Sequence, residues 1–133
     1  MRKLLTLTMV MLVANLTHAA DYPRNQALYV EMRDGVRIAI DVWLPEDLEE
    51  GDEIPTLMQA TRYWRAMEHT SGRIEEDNRF ELANRVNAAG YAFVFVDARG
   101  SGASFGSRAY ERSVEEATDY GEIVDWIVEQ PWS

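Results

Sequence analysis

Cysteine is absent from the 133 residues. That excludes disulfides, thiolate metal sites, a cysteine nucleophile and lipid attachment through sulfur. Histidine is nearly absent too, with two copies, so a histidine-rich metal centre is excluded. Basic residues are few: 13 Lys and Arg stand against 23 Asp and Glu, a net charge of −10. Nucleic acid is therefore a poor partner, because its binding depends on Lys and Arg neutralising phosphates. No basic run is available to hold an anionic membrane surface either. What the chain does have is 47% hydrophobic and 27% charged residues, the balance of one packed domain rather than a disordered polymer.

The first twenty residues read as a leader rather than as fold. Arg2 and Lys3 give a positive start, Leu4 to Leu16 is mostly apolar and uncharged, and Thr17-His18-Ala19-Ala20 ends in small residues. Those are the three parts of a secretory signal peptide, and the apolar run is too short for a spanning helix. Residues 1–20 are thus expected to be removed, leaving an exported chain that starts near Asp21, in the periplasm or outside the cell. All 23 acidic residues and 11 of the basic ones lie beyond that point.

Residues 28–33 and 36–44 alternate apolar and polar around Asp34-Gly35, which predicts a β-hairpin with a two-residue type I′ turn. Pro45 to Glu53 reads as an acidic solvent loop, and 56–60 as a short buried strand. Residues 66–75 are irregular. From Asp77 to Ala89, Phe80, Ala83, Val86 and Ala89 recur at helical spacing, and Gly90 supplies the stop. Tyr91 to Val96 is an unbroken apolar run, the pattern of a central strand covered on both faces. Ser113 and Glu116 have the spacing of a capping box, with Val114, Ala117, Val124, Ile127 and Val128 on one helix face. Pro131 closes that helix. This alternation is α/β, with a sheet that turns parallel. No strand follows the last helix to complete a crossover, so the chain is expected to be part of a longer protein. The alternative is a small α/β domain that ends on a helix.

The loop Asp97-Ala98-Arg99-Gly100-Ser101-Gly102-Ala103-Ser104-Phe105-Gly106 follows the end of a buried strand, where α/β sheets place ligands. As a dinucleotide loop it offers Gly100 and Gly102, but no helix opens there. As a nucleophile elbow it contains Gly102-Ala103-Ser104-Phe105-Gly106. An elbow passes straight from strand to helix, however, and here some ten residues intervene. His69 also precedes the serine, against the usual order of such triads. A structural reading remains, in which glycines make tight turns while Asp97 and Arg99 pin the loop through an ion pair and backbone hydrogen bonds. His69 itself, among Glu68, Thr70 and Ser71, reads as a solvated loop residue. Glu49-Glu50, Glu75-Glu76 and Glu115-Glu116 read as solvated faces and helix-start charges.

Several stretches resemble the N-terminal part of the CocE/NonD hydrolase family, which includes cocaine esterase and the X-Pro dipeptidyl-peptidases. They are Met32-Arg33-Asp34-Gly35-Val36-Arg37, Pro55-Thr56-Leu57-Met58 leading to Arg62-Tyr63-Trp64-Arg65, Gly90-Tyr91-Ala92 with Asp97 to Ser104, and Asp125-Trp126-Ile127 with Glu129-Gln130-Pro131-Trp132. The resemblance covers nearly all of residues 21–133, in order. It implies the N-terminal part of an α/β-hydrolase fold, an antiparallel hairpin leading into a mostly parallel sheet, in a serine hydrolase of esters or amides. It further implies that the nucleophile elbow follows shortly after Pro131-Trp132, so that nucleophile, acid and histidine of the triad are not in this chain. One functional residue carries over, Tyr63, in the place of the tyrosine that donates its phenolic O–H to the oxyanion. The family's common Pro-Tyr-Asp is here Arg62-Tyr63-Trp64. No metal or organic cofactor is implied, and the expected partner is a small-molecule ester or peptide substrate. The isolated chain is expected to be inert, with an uncovered sheet edge along 91–96. The rival expectation is a secreted non-catalytic binding module derived from a hydrolase start.

Overall fold

The computed structural model describes residues 25–63, 65 and 78–133. The expectations for the leader at 1–20, for 66–75 with His69, for Trp64 and for Glu75-Glu76 lie outside the described residues. Within them the order is β1 (Asn25–Glu31), β2 (Arg37–Trp43), β3 (Thr56–Thr61), α1 (Asn78–Ala88), β4 (Ala92–Asp97) and α2 (Val114–Val128). The four strands form one sheet in the order β1-β2-β4-β3. β1 pairs antiparallel with β2 and β2 with β4, while β3 and β4 run parallel. Helix α1 lies between the two parallel strands in sequence, as a crossover requires.

Side-chain alternation divides the core into two layers. Ile38, Ile40 and Val42 of β2 join Val94 and Val96 of β4 against Ile123, Ile127 and Trp132. Phe93 and Phe95 point the other way, onto Ala83 and Val86 of α1. Every residue of β4 is buried, so the unbroken apolar run is explained by cover on both faces. Each fully buried Val or Ile contributes about 1.5–3 kcal/mol relative to exposure. Helix α1 stops where Gly90, at φ 82°, lets its N–H reach the Asn87 carbonyl and the Tyr91 N–H reach that of Val86, a Schellman closure.

Four sequence expectations are corrected. The hairpin turn is not type I′, which needs positive φ at both central residues; Gly35 has it and Asp34 does not. Instead Gly35 N–H donates to the Met32 carbonyl and Met32 N–H to that of Val36, each at 2.8 Å, a three-residue loop with a left-handed glycine. β3 is only half-buried, because β4 is its one strand partner among the described residues. Among the described residues the sheet edges are accordingly β1 and β3, and β4, expected as the uncovered edge, is interior. Finally, Val114, Val124 and Val128 are exposed, and α2 buries Glu116, Asp119, Ile123 and Ile127. Hydropathy misplaced that face because the two acids enter the interior paired with arginines.

Candidate functional site

The parallel strands β3 and β4 end side by side, with Thr61 opposite Asp97. The Ala98 N–H extends that pairing to the Thr61 carbonyl at 2.7 Å. Two segments leave this end of the sheet: the turn bearing Tyr63 and the loop after Asp97. Tyr63 N–H donates to Thr61 Oγ1 at 3.0 Å, and the residue is 74% exposed. The Tyr63 phenol is therefore presented at the C-terminal rim of the parallel pair, the edge where α/β folds gather ligands.

Ser104 is placed differently. Its hydroxyl donates to the Asp97 carbonyl at 2.7 Å and accepts from the Ala39 N–H at 2.8 Å, so it bridges β4 to β2. Phe105 N–H adds a bond to the Arg37 carbonyl, and no helix begins between Asp97 and Val114. The sequence Gly102 to Gly106 is thus a stitched loop rather than an elbow. Gly102 sits at φ 54°, where a Cβ would collide with the Asp97 carboxylate. Ser104→Ala would strand one donor and one acceptor, and we expect it to lower stability by about 2–3 kcal/mol, read as a fall in Tm. An unchanged Tm would show that the hydroxyl is not structural.

Asp97 and Arg99 both pin the loop, but not to each other. Asp97 accepts from Ala103 N–H at 2.9 Å and Arg65 N–H at 2.7 Å. The Arg65 side chain lies between Asp97 and Asp41, with Nε 3.3 Å from Asp41 Oδ1 without hydrogen-bond alignment. Burial pushes the Asp41 carboxyl up; Arg65 opposes this and Asp97 adds to it. Arg99 forms a two-point contact with Asp119, both at 2.6 Å, and a second with Asp34 at 2.8 and 3.2 Å. Arg33 bridges Asp119 and Glu122, so hairpin tip, loop and helix α2 share one ionic network.

A second network lies at the start of α2. Ser113 Oγ accepts from Glu116 N–H at 3.3 Å, the first half of the expected capping box. The Glu116 carboxylate does not return to Ser113. It accepts from Arg112 N–H at 3.1 Å, the Tyr120 hydroxyl at 2.6 Å and Arg62 Nη2 at 2.6 Å. Glu116 is therefore a buried acid, 1% exposed, where the sequence reading put a solvated helix-start charge; Glu115 beside it is exposed. Burial alone would raise the Glu116 carboxyl, but donation from Tyr120, Arg112 and Arg62 outweighs it and holds the group below the usual range. Bonds from Arg99 and from the Val36 N–H hold Asp34 low as well.

A carboxyl with a lowered folded pKa contributes stability above its unfolded pKa and loses it as pH falls through the folded value. We therefore expect Tm to decline below about pH 4, with Glu116→Gln removing part of that decline. A Tm level down to about pH 3 would contradict the assignment. Among the described residues, no group of three or more His, Cys, Asp or Glu is placed to hold a metal ion. Sequence reasoning missed both networks. Their signal was there: 116, 119, 120, 123 and 127 share one helical face, which made the two acids candidates for burial beside Ile123 and Ile127.

The chain matches the family described as X-Pro dipeptidyl-peptidase (S15 family) over residues 34–133. It is 45% identical over 127 residues to a putative serine esterase of Mycobacterium bovis, covering 84% of this chain and 20% of that protein. It is 31% identical over 112 residues to the cocaine esterase of a Rhodococcus species, covering 84% and 18%. The solved CocE/NonD family hydrolase from Staphylococcus aureus is similar at TM-score 0.60 and 28% identity, over 81% of this chain and 21% of that one. The chain therefore spans about a fifth of the length of these curated relatives. The strand order, the two-sided cover of β4 and these likenesses agree on one conclusion: the chain belongs to the X-Pro dipeptidyl-peptidase (S15) family of hydrolases and carries part of its α/β-hydrolase fold.

Proposed function

We propose that the full-length polypeptide is a serine hydrolase that cleaves ester or amide bonds, X-Pro peptide bonds among them, through an acyl-enzyme. In this reading residues 21–133 contribute Tyr63 as an oxyanion donor, and the nucleophile, acid and histidine come from outside this chain. The observation that carries it is the exposed Tyr63 phenol at the C-terminal end of β3, in a chain whose Ser104 hydroxyl is committed to backbone.

In this reading the chemistry is acyl transfer. The serine Oγ bonds to the acyl carbon as histidine takes its proton, and the carbonyl oxygen becomes an oxyanion. Tyr63 O–H and a backbone N–H beside the serine donate to that oxygen. The intermediate collapses, histidine protonates the leaving group, and water then releases the acyl group by the same steps. No metal or organic cofactor is needed. Residues 1–20 direct export in this reading, and N-terminal sequencing of the mature protein is expected to begin near Asp21; a retained Met1 would contradict it.

Labelling of the full-length protein with a fluorophosphonate probe tests the function. The modified serine is expected outside residues 1–133, with Ser104→Ala labelled as the wild type. A label on Ser104 would overturn the reading. A folded protein that takes no label and hydrolyses no ester would favour the non-catalytic binding module instead.

A further inference from the structure

Tyr63 stands 74% exposed on the turn that follows β3, so the placing of its phenol depends on how firmly that turn is held. That backbone is held on both sides. After Tyr63, the Arg65 N–H is fixed to Asp97 at 2.7 Å. Before it, the Arg62 guanidinium reaches Glu116 at 2.6 Å. Glu116 is a rigid anchor: it is buried in the first turn of α2, and its oxygens also accept from the Tyr120 hydroxyl and the Arg112 N–H. A charge-assisted bond to an acid so constrained fixes the donor more firmly than one to a mobile surface carboxylate.

We propose that Arg62 is a positioning residue for the Tyr63 phenol, acting through its ion pair with the buried Glu116. The inference rests on the oxyanion assignment of Tyr63 and adds a residue to it. Where the family pattern carries proline before the tyrosine, φ is restrained by the ring. Here a long side chain restrains the same turn from outside, by anchoring it to the helix that follows β4. Arg62 does not touch substrate in this account. Its removal leaves the phenol in place chemically but broadens where it points, and an oxyanion donor works only when preorganised.

The test is a double-mutant cycle in the full-length protein: Arg62→Met and Tyr63→Phe, singly and together, with kcat and KM on a p-nitrophenyl ester and Tm for each. Arg62→Met is expected to lower kcat by about tenfold with KM within about twofold, and to cost less than about threefold when Tyr63 is already Phe. Glu116→Gln breaks the same pair without stranding a buried carboxylate, and is expected to show the same loss of additivity. It decides the matter if Arg62→Met is not recovered folded. Equal factors in both backgrounds would overturn the inference and reduce Arg62 to a structural residue, even if Tyr63→Phe itself is severely impaired. A Tyr63→Phe variant within about threefold of wild type would instead retire the oxyanion assignment and this inference with it.

Discussion

Replacing Asp119 by alanine is expected to destabilise the fold by about 3–5 kcal/mol, more than any other single change considered for the ionic networks. Asp119 is 1% exposed and Arg99 4%, and two bonds of 2.6 Å join them. Alanine would leave the Arg99 guanidinium buried with Asp34 as its remaining partner, and Asp34 lies at the surface. Arg33 would lose its bond to Asp119 at the same time. Hydrogen bonds from Arg99 to Asp119, and then to Asp34, hold the guanidinium still more firmly in its charged form, so it cannot escape by losing its proton. Asp34→Ala is expected to cost about 1 kcal/mol, because Asp34 is itself exposed and Arg99 keeps its two bonds to Asp119. The measurement is Tm, with a fall of roughly 10 °C for Asp119→Ala and about 2 °C for Asp34→Ala. Replacing both members of the buried pair, as Arg99→Met with Asp119→Leu, is expected to recover much of the loss, because no charge is then stranded. A loss below about 1 kcal/mol for Asp119→Ala would mean that solvent reaches Arg99.

That network also marks the limit of what could be read from the sequence. Strand β4 was legible because an apolar run is set by local composition, and the end of α1 because Gly90 makes the left-handed stop cheap. The buried face of α2 was not. Hydropathy favours Val114, Val124 and Val128, and those residues face out. Glu116 and Asp119 face in because Arg62, Arg33 and Arg99, 20 to 86 residues away in sequence, converge on them. Partners at that separation leave no periodic trace along the chain.

The hairpin shows the same limit on a smaller scale. Asp34-Gly35 signals a turn, but not that Asp34 also serves Arg99, a contact from outside the hairpin. The Gly102–Gly106 loop is legible as structural from spacing alone, because the distance between β4 and α2 in sequence is kept in the fold. The expected backbone hydrogen bonds of Asp97 are present, but the ion pairs of Arg99 go to Asp119 and Asp34, partners distant in sequence. Tyr63 was reached only through resemblance, since nothing in its local composition distinguishes it from other tyrosines.

Tyr63 is the residue on which the proposed hydrolysis depends within this chain. Tyr63→Phe removes one hydroxyl from a ring that is mostly in solvent, so the fold is expected to survive with Tm little changed. Losing one preorganised donor to a developing oxyanion raises the barrier by about 2.7–4 kcal/mol, a loss of about 10²–10³ in kcat. KM is expected to move little, because the bond strengthens as the tetrahedral oxygen forms and not when substrate binds. If the ring served packing instead, phenylalanine would be nearly neutral and alanine would lower Tm. The deciding measurement is kcat of full-length Tyr63→Phe on a p-nitrophenyl ester, with Tm recorded on the same sample. A fall of about 10² or more at unchanged Tm is the result the account requires, and a rate within about threefold of wild type, under about 0.7 kcal/mol of barrier, would contradict it.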